Sequence, residues 1–116
     1  MKHKKLIVKT NTRKYSIIIG SNLVTKLSKI LKNDLIDFKK CLLLVDKNVP
    51  SKMVSKIKKS LHNKEIFIYH FKASEINKNQ KNTLKILEFL LKKNFSRNDC
   101  LISVGGGITG DVGGFV

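Results

Sequence analysis

Acidic residues are scarce in this chain. Eight Asp and Glu stand against 24 Lys and Arg, leaving a formal charge of +16; tryptophan is absent, proline occurs once and cysteine twice. Cys41 and Cys100 lie far apart with no C-x-x-C spacing, and His3, His62 and His70 form no H-x-x-x-H pair, so no local zinc motif is present. Each cysteine opens an apolar, strand-like run, which predicts two buried reduced thiols. Arginine is scarce too, with only Arg13 and Arg97. Arginine's planar fork is the preferred reader of phosphates and bases. The lysines that carry the charge are dispersed along polar faces, as in "KLSKILK" and "SKIKKSL", and Lys, Asn and Ile are the residues of A- and T-rich codons. The charge therefore reads as solvated surface, with no specific nucleic-acid partner. Apolar runs such as "CLLLV" at 41–45 are far too short to cross a bilayer. The basic N-terminus lacks the continuous apolar core and small-residue cleavage site of a signal peptide. A cytoplasmic protein with no membrane partner is expected.

What is present is an alternation of two periodicities. "KLIVKT" (5–10) and "YSIIIG" (15–20) flank the polar tetrad "NTRK", which predicts a hairpin. Ser21 then stands where a helix N-cap belongs, ahead of Leu23, Val24, Leu27, Ile30 and Leu31 at helical spacing. "CLLLVD" (41–46) is a short continuous apolar run, the mark of a strand buried on both faces. Pro50 suits the first turn of the next helix, whose stripe is Met53, Val54, Ile57 and Leu61. "EIFIYHF" (65–71) is a further strand. A polar loop leads from it to a helix expected to bury Leu84, Leu87, Leu91 and Phe95, widened by Ile86 and Leu90. "DCLISVGGG" is the last strand and its turn. After the hairpin the order is β, α, β, α, β, which predicts an α/β fold: a mainly parallel, Rossmann-like sheet with helices on its faces.

Ligands of such sheets bind outside the carboxyl ends of the strands. Three segments fall there: "DKN" (46–48), "SEINK" (74–78) and "GGGITGD" (105–111). Gly105 to Gly110 satisfy the G-x-G-x-x-G spacing, and glycine at 105–107 permits a ligand to approach the backbone. The N–H groups of the helix that follows can then bind a pyrophosphate, and Asp111 can cap that helix or orient a ligand hydroxyl. A tight strand-to-helix turn with no ligand is the plainer reading of the same glycines.

The longer string is more specific. "RNDCLISVGGGITGDVGGF" resembles the segment of dehydroquinate synthases that reads approximately R-x-D-x-h-h-x-h-GGG-h-h-GD-h-x-GF, with h hydrophobic. Arg97, Asp99, the triple glycine, Gly110, Asp111, Gly114 and Phe115 match, while Thr109 replaces an aliphatic residue. Upstream, "YSIIIGSNL" and "LLLVDKNV" look like the family's early strands. Glu75 and Lys78 fit its G-E-x-x-K loop, with Ser74 in place of the glycine.

The resemblance implies the family's N-terminal Rossmann-like NAD domain, with a largely helical domain beyond this chain. It implies the second step of the shikimate pathway. DAHP, a seven-carbon sugar-acid phosphate, becomes dehydroquinate with loss of phosphate, with catalytic NAD and a divalent metal, zinc or cobalt, in a homodimer. Carried over by position, Asp46, Lys47 and Asn48 should lie along the adenosine half of NAD, and Glu75, Ile76, Asn77 and Lys78 along the adjoining stretch. Gly106, Gly107 and Ile108 should supply backbone contacts to the pyrophosphate, with Asp111 nearby, and Thr109 and Gly110 complete the cofactor-binding loop. The family's metal ligands and substrate clamps lie beyond the glycine loop. The expectation is thus an N-terminal piece, residues 1–116 forming one NAD-binding domain that is inactive alone. Other sugar-phosphate cyclases, GGG-loop polyol dehydrogenases and, from a different class, a basic nucleic-acid-binding module are the alternatives.

Overall fold

The computed structural model describes residues 4–72 and 80–115, apart from the side chains of Gln80, Ile108, Asp111 and Phe115. Its elements run β1 (Lys4–Lys9), β2 (Lys14–Ile19), a 3-10 turn (Leu23–Lys26), α1 (Leu27–Asn33), β3 (Lys40–Asp46), α2 (Ser51–Ser60), β4 (Glu65–Phe71), α3 (Gln80–Lys92), β5 (Cys100–Val104) and α4 (Gly107–Phe115). The chain forms the expected hairpin and the expected parallel sheet as two separate sheets.

In the parallel sheet β3 is central, with order β4-β3-β5. The sequence explains the choice. Cys41 to Val45 are all buried, and a strand covered by neighbours and by helices on both faces must be apolar throughout. Side chains alternate across the sheet. Cys41, Leu43 and Val45 join Phe38, Val54, Ile57 and Leu61 beneath α1 and α2. Leu42 and Leu44 join Phe71, Ile86 and Val112 beneath α3 and α4. On that second face Phe67 and Tyr69 of β4 meet Phe89 and Phe95 edge to face, at centroid separations of 5.4 to 6.4 Å. Lysine ammonium groups lie over three of the rings: Lys64 Nζ is 5.1 Å from the Phe38 centroid, and Lys93 Nζ is 5.8 Å from those of Phe67 and Phe89.

Three local expectations are corrected. Ser21 does not cap a helix: Asn22, at φ 55°, precedes the 3-10 turn, and no side chain caps it. In α2, Met53 is exposed while Val54 and Ile57 are buried; Pro50 sits just ahead of the helix, its carbonyl accepting the N–H groups of Met53 and Val54. In α3 the buried side is Ile86, Phe89 and Leu90, leading to Phe95; Leu84 and Leu91 are 50% and 73% exposed. This helix is apolar on most of its circumference, so spacing alone allowed two phases. The aromatic side chains of β4 selected the one that brings Phe89 over the sheet.

Both α1 and α3 end in the same closing motif. Leu35 and Asn94 take left-handed conformations, and the N–H of the next residue returns to a carbonyl five positions back: Ile36 to Leu31, and Phe95 to Leu90. The β1-β2 hairpin is joined to α1 by an exposed ion pair, Lys5 Nζ to Asp34 Oδ1 at 2.7 Å.

Candidate functional site

The parallel register puts the carboxyl ends of β3, β4 and β5 at one edge of the sheet. There β3 runs into a tight turn. The Val49 N–H donates to the Asp46 carbonyl at 2.9 Å, and the Asn48 N–H donates to Asp46 Oδ1 at 3.2 Å. The half-buried Asp46 carboxylate therefore braces its own turn, while Lys47 and Asn48 stand exposed beyond it. The Lys47 N–H donates to the Phe71 carbonyl, tying this turn to the end of β4. Glu75, Ile76, Asn77 and Lys78, in the loop that leaves β4, lie outside the described residues.

On the other side of Asp46, β5 passes through Gly105 into α4. Gly105 sits at φ +151°, a backbone conformation that side chains disfavour; a Cβ there would come within 2.8 Å of Thr109 Oγ1 and 3.0 Å of Asp46 Cβ. Gly105 is thus the contact between the "DKN" turn and the glycine loop, a role the bare G-x-G-x-x-G pattern does not distinguish from that of its neighbours. Gly106 and Gly107 differ: a Cβ at either position meets no atom within 4 Å. Packing inside the chain gives no reason for glycine there, although glycine weakens a helix start. The space these residues leave is open on the outside.

The Gly106 carbonyl accepts the Gly110 N–H at 3.2 Å, opening the ladder of α4. The first-turn N–H groups of a helix lack intrahelical acceptors and carry its positive dipole end, and no acidic residue occupies the first turn here. Ile108, Thr109, Gly110 and Asp111 all lie in the opening turns of α4. Thr109 is wholly buried, and its Oγ1 has no hydrogen-bond partner. An unpaired buried hydroxyl costs about 1–3 kcal/mol. It faces Gly105, at the root of the loop.

Two residues of the "RNDCLISVGGGITGDVGGF" string have structural work, one matched and one not. Asp99 Oδ2 accepts the Ser96 N–H at 2.8 Å and Oδ1 accepts the Lys40 N–H at 3.2 Å, so this carboxylate ties the entry of β5 to the entry of β3. The Ser96 N–H, more than the Lys40 N–H, holds its carboxyl below the ordinary range. Gly113, which the sequence reading passed over, lets α4 lie against β5: a Cβ there would run into Ser103 Oγ and approach Leu101 Cδ2 to 3.2 Å. Among the described residues no three His, Cys, Asp or Glu side chains gather to hold a metal, and no helix is long and apolar enough to cross a membrane.

A parallel sheet covered on both faces, with a glycine turn feeding a helix N-terminus at its carboxyl edge, defines a Rossmann-like α/β fold. Solved structures of 2-deoxy-scyllo-inosose synthase share it: one superposes with a TM-score of 0.83 at 20% identity, covering 96% of this chain and 31% of that one. Another, at TM-score 0.83 and 19% identity, is of that enzyme complexed with carbaglucose-6-phosphate, NAD+ and Co2+. At the sequence level a family profile described as 3-dehydroquinate synthase N-terminal matches residues 68–116. A 3-dehydroquinate synthase of Pelagibacter ubique is 56% identical over 111 residues, 96% of this chain and 30% of that protein. One from Streptococcus thermophilus is 34% identical over 114 residues, 97% of this chain and 32% of that protein. The chain belongs to the 3-dehydroquinate synthase family and corresponds to its N-terminal region. It spans about 30% of the length of these relatives.

Proposed function

We propose that this chain is the nucleotide-binding part of a 3-dehydroquinate synthase that converts DAHP to dehydroquinate and phosphate. The observation that carries the reading is the edge built from Asp46, Gly105 and α4: a helix N-terminus with unfilled space over Gly106 and Gly107 and an unpaired Thr109 hydroxyl behind it. These features fit a dinucleotide. In this reading the first-turn N–H groups of α4 hold the pyrophosphate, with Gly106 and Gly107 leaving it room. Lys47 and Asn48, exposed on the turn that Asp46 braces, line the adenosine half; Glu75, Ile76, Asn77 and Lys78 remain candidates for the same half from the family resemblance. When bound, NAD supplies reversible hydride acceptance from a substrate alcohol. The contribution of this chain is to hold and orient the cofactor at the sheet edge, because positioning supplies much of the rate in such a step.

The identity of 56% to a 3-dehydroquinate synthase, against 20% to a different cyclase of the same fold, supports DAHP as the substrate within the sugar-phosphate cyclases. The NAD+ and Co2+ held by the structural neighbour support NAD and a divalent metal for the whole protein. The described residues offer no metal cluster, so no metal step is assigned to them. Homodimerisation and a cytoplasmic site of action belong to the same proposal.

Calorimetric titration with NAD tests the site. Gly106→Val should leave the circular dichroism spectrum unchanged, since a Cβ there has open space for 4 Å around it, and should weaken NAD binding at least about tenfold, or about 1.4 kcal/mol. Equal affinities in parent and variant would reduce the loop to a turn. Phosphate release from DAHP, compared with glucose 6-phosphate in the whole protein, decides the substrate.

A further inference from the structure

Cys41 and Cys100 open β3 and β5, and the parallel register sets them directly opposite one another. Adjacent strands lie about 4.8 Å apart. That falls inside the Cα separation of about 4.4–6.8 Å that a disulfide spans. Both side chains emerge on the face covered by α1 and α2 and pack into the same apolar cluster. Both are free thiols, Cys41 wholly buried and Cys100 half-buried.

The pair is chemically unequal. A hydrogen bond from the Cys41 S–H to the Cys100 sulfur, reinforced by burial, pushes the Cys41 thiol up. The same bond holds the Cys100 thiol below its ordinary value. The thiolate is the reactive form of cysteine. Cys100, half-buried, is the sulfur a dissolved oxidant reaches first, and Cys41 lies behind it in the core, opposite it across the register.

We propose that Cys41 and Cys100 are a redox pair that closes to a reversible intrachain disulfide, with Cys100 oxidised first by a hydroperoxide and Cys41 resolving it. In the first step the Cys100 thiolate attacks the peroxide. An S–O bond forms, the O–O bond breaks, sulfur loses two electrons, and hydroxide leaves when the oxidant is hydrogen peroxide. In the second step the Cys41 sulfur attacks the Cys100 sulfenic acid. The S–S bond forms, the S–O bond breaks, and the Cys41 proton leaves with the hydroxyl as water. A dithiol returns both electrons and restores the two thiols. The pair sits at the amino ends of the strands, across the length of the sheet from Asp46 and the glycine loop. The proposal therefore does not rest on the nucleotide reading.

The test uses the chain as expressed, reduced, freed of reductant and treated with hydrogen peroxide. Denaturing alkylation with N-ethylmaleimide and intact mass then report the thiols. The expected product has lost both alkylation sites together, is lighter by the two thiol hydrogens, and yields a peptide linking Cys41 to Cys100. Its formation is independent of protein concentration, and dithiothreitol reverses it. Cys41→Ser should leave a Cys100 sulfenic acid that dimedone traps, and Cys100→Ser should leave Cys41 unmodified at the same exposure. Should Cys41→Ser fail to fold, the parent mass and the Cys100→Ser variant, altered only at the half-buried position, still decide. Sulfinic acid at Cys100 with Cys41 still alkylatable, two unreacted thiols, or a bridge formed only between chains would each overturn the proposal.

Discussion

Gly105→Ala should be the most damaging single-methyl change in the glycine loop, through stability before binding. The backbone there sits at φ +151°, and forcing an alanine into such a conformation costs about 1–3 kcal/mol. The new methyl would also lie 2.8 Å from Thr109 Oγ1, 3.0 Å from Asp46 Cβ and 3.2 Å from Thr109 Cβ. Carbon contacts are optimal at about 3.5–4.0 Å, and overpacking of this kind costs about 1–3 kcal/mol. The reduced freedom of the unfolded chain returns about 0.4–1 kcal/mol. The net loss is about 1–5 kcal/mol, a large share of the roughly 5–15 kcal/mol typical of a domain. The chain has no tryptophan, so urea unfolding is best followed by far-ultraviolet circular dichroism. A lower midpoint at unchanged slope is expected. Thr109→Ala deletes the nearest clashing atom together with an unpaired hydroxyl. In that background Gly105→Ala should cost about 1 kcal/mol less, a coupling within the range for residues in contact. Gly106→Ala, with nothing within 4 Å, is the control. A Gly105→Ala loss no larger than that of Gly106→Ala, or no coupling to Thr109, would refute the assignment of Gly105 as the contact between the β3 turn and α4.

Three further outcomes follow from the packing. Leu35→Gly should stabilise the chain by about 0.5–1 kcal/mol in thermal unfolding, because Leu35 takes φ 58° at the end of α1 while 92% exposed, so it loses strain and almost no burial. Asp99→Ala should lower stability at neutral pH. The Asp99 carboxyl is held below its unfolded value of about 3.9, so its contribution is complete above that pH and disappears as the pH falls through the lower folded value; the unfolding midpoints of parent and variant should therefore converge in acid. Ile86→Ala, at a wholly buried position under the sheet, should cost about 2–5 kcal/mol in urea unfolding.

The sequence by itself determined whatever depends on neighbours along the chain. The strand-like runs "KLIVKT" and "YSIIIG" around the polar "NTRK" predicted the β1-β2 hairpin, the unbroken "CLLLV" predicted a strand buried on both faces, and the order of periodicities predicted a parallel sheet. The glycine string pointed to the loop and to the family for the same reason: its chemistry is written in consecutive residues. Tertiary structure decided what depends on partners distant in sequence. Periodicity marked one broad apolar face of α3, Leu84, Leu87 and Leu91 widened by Ile86 and Leu90, and could not say which part of it packs; contact of Phe89 with Phe67 and Tyr69 turned the Ile86–Leu90 part inward. Nor could spacing tell Gly105 and Gly113, which close packing requires, from Gly106 and Gly107, which face open space. Most of all, Cys41 and Cys100 read as two unrelated thiols until the β3-β5 register set them side by side. Strand pairing is a long-range choice, made where burying Leu42, Leu43 and Leu44 on both faces stabilises one order over the others, and local sequence carries no record of that choice.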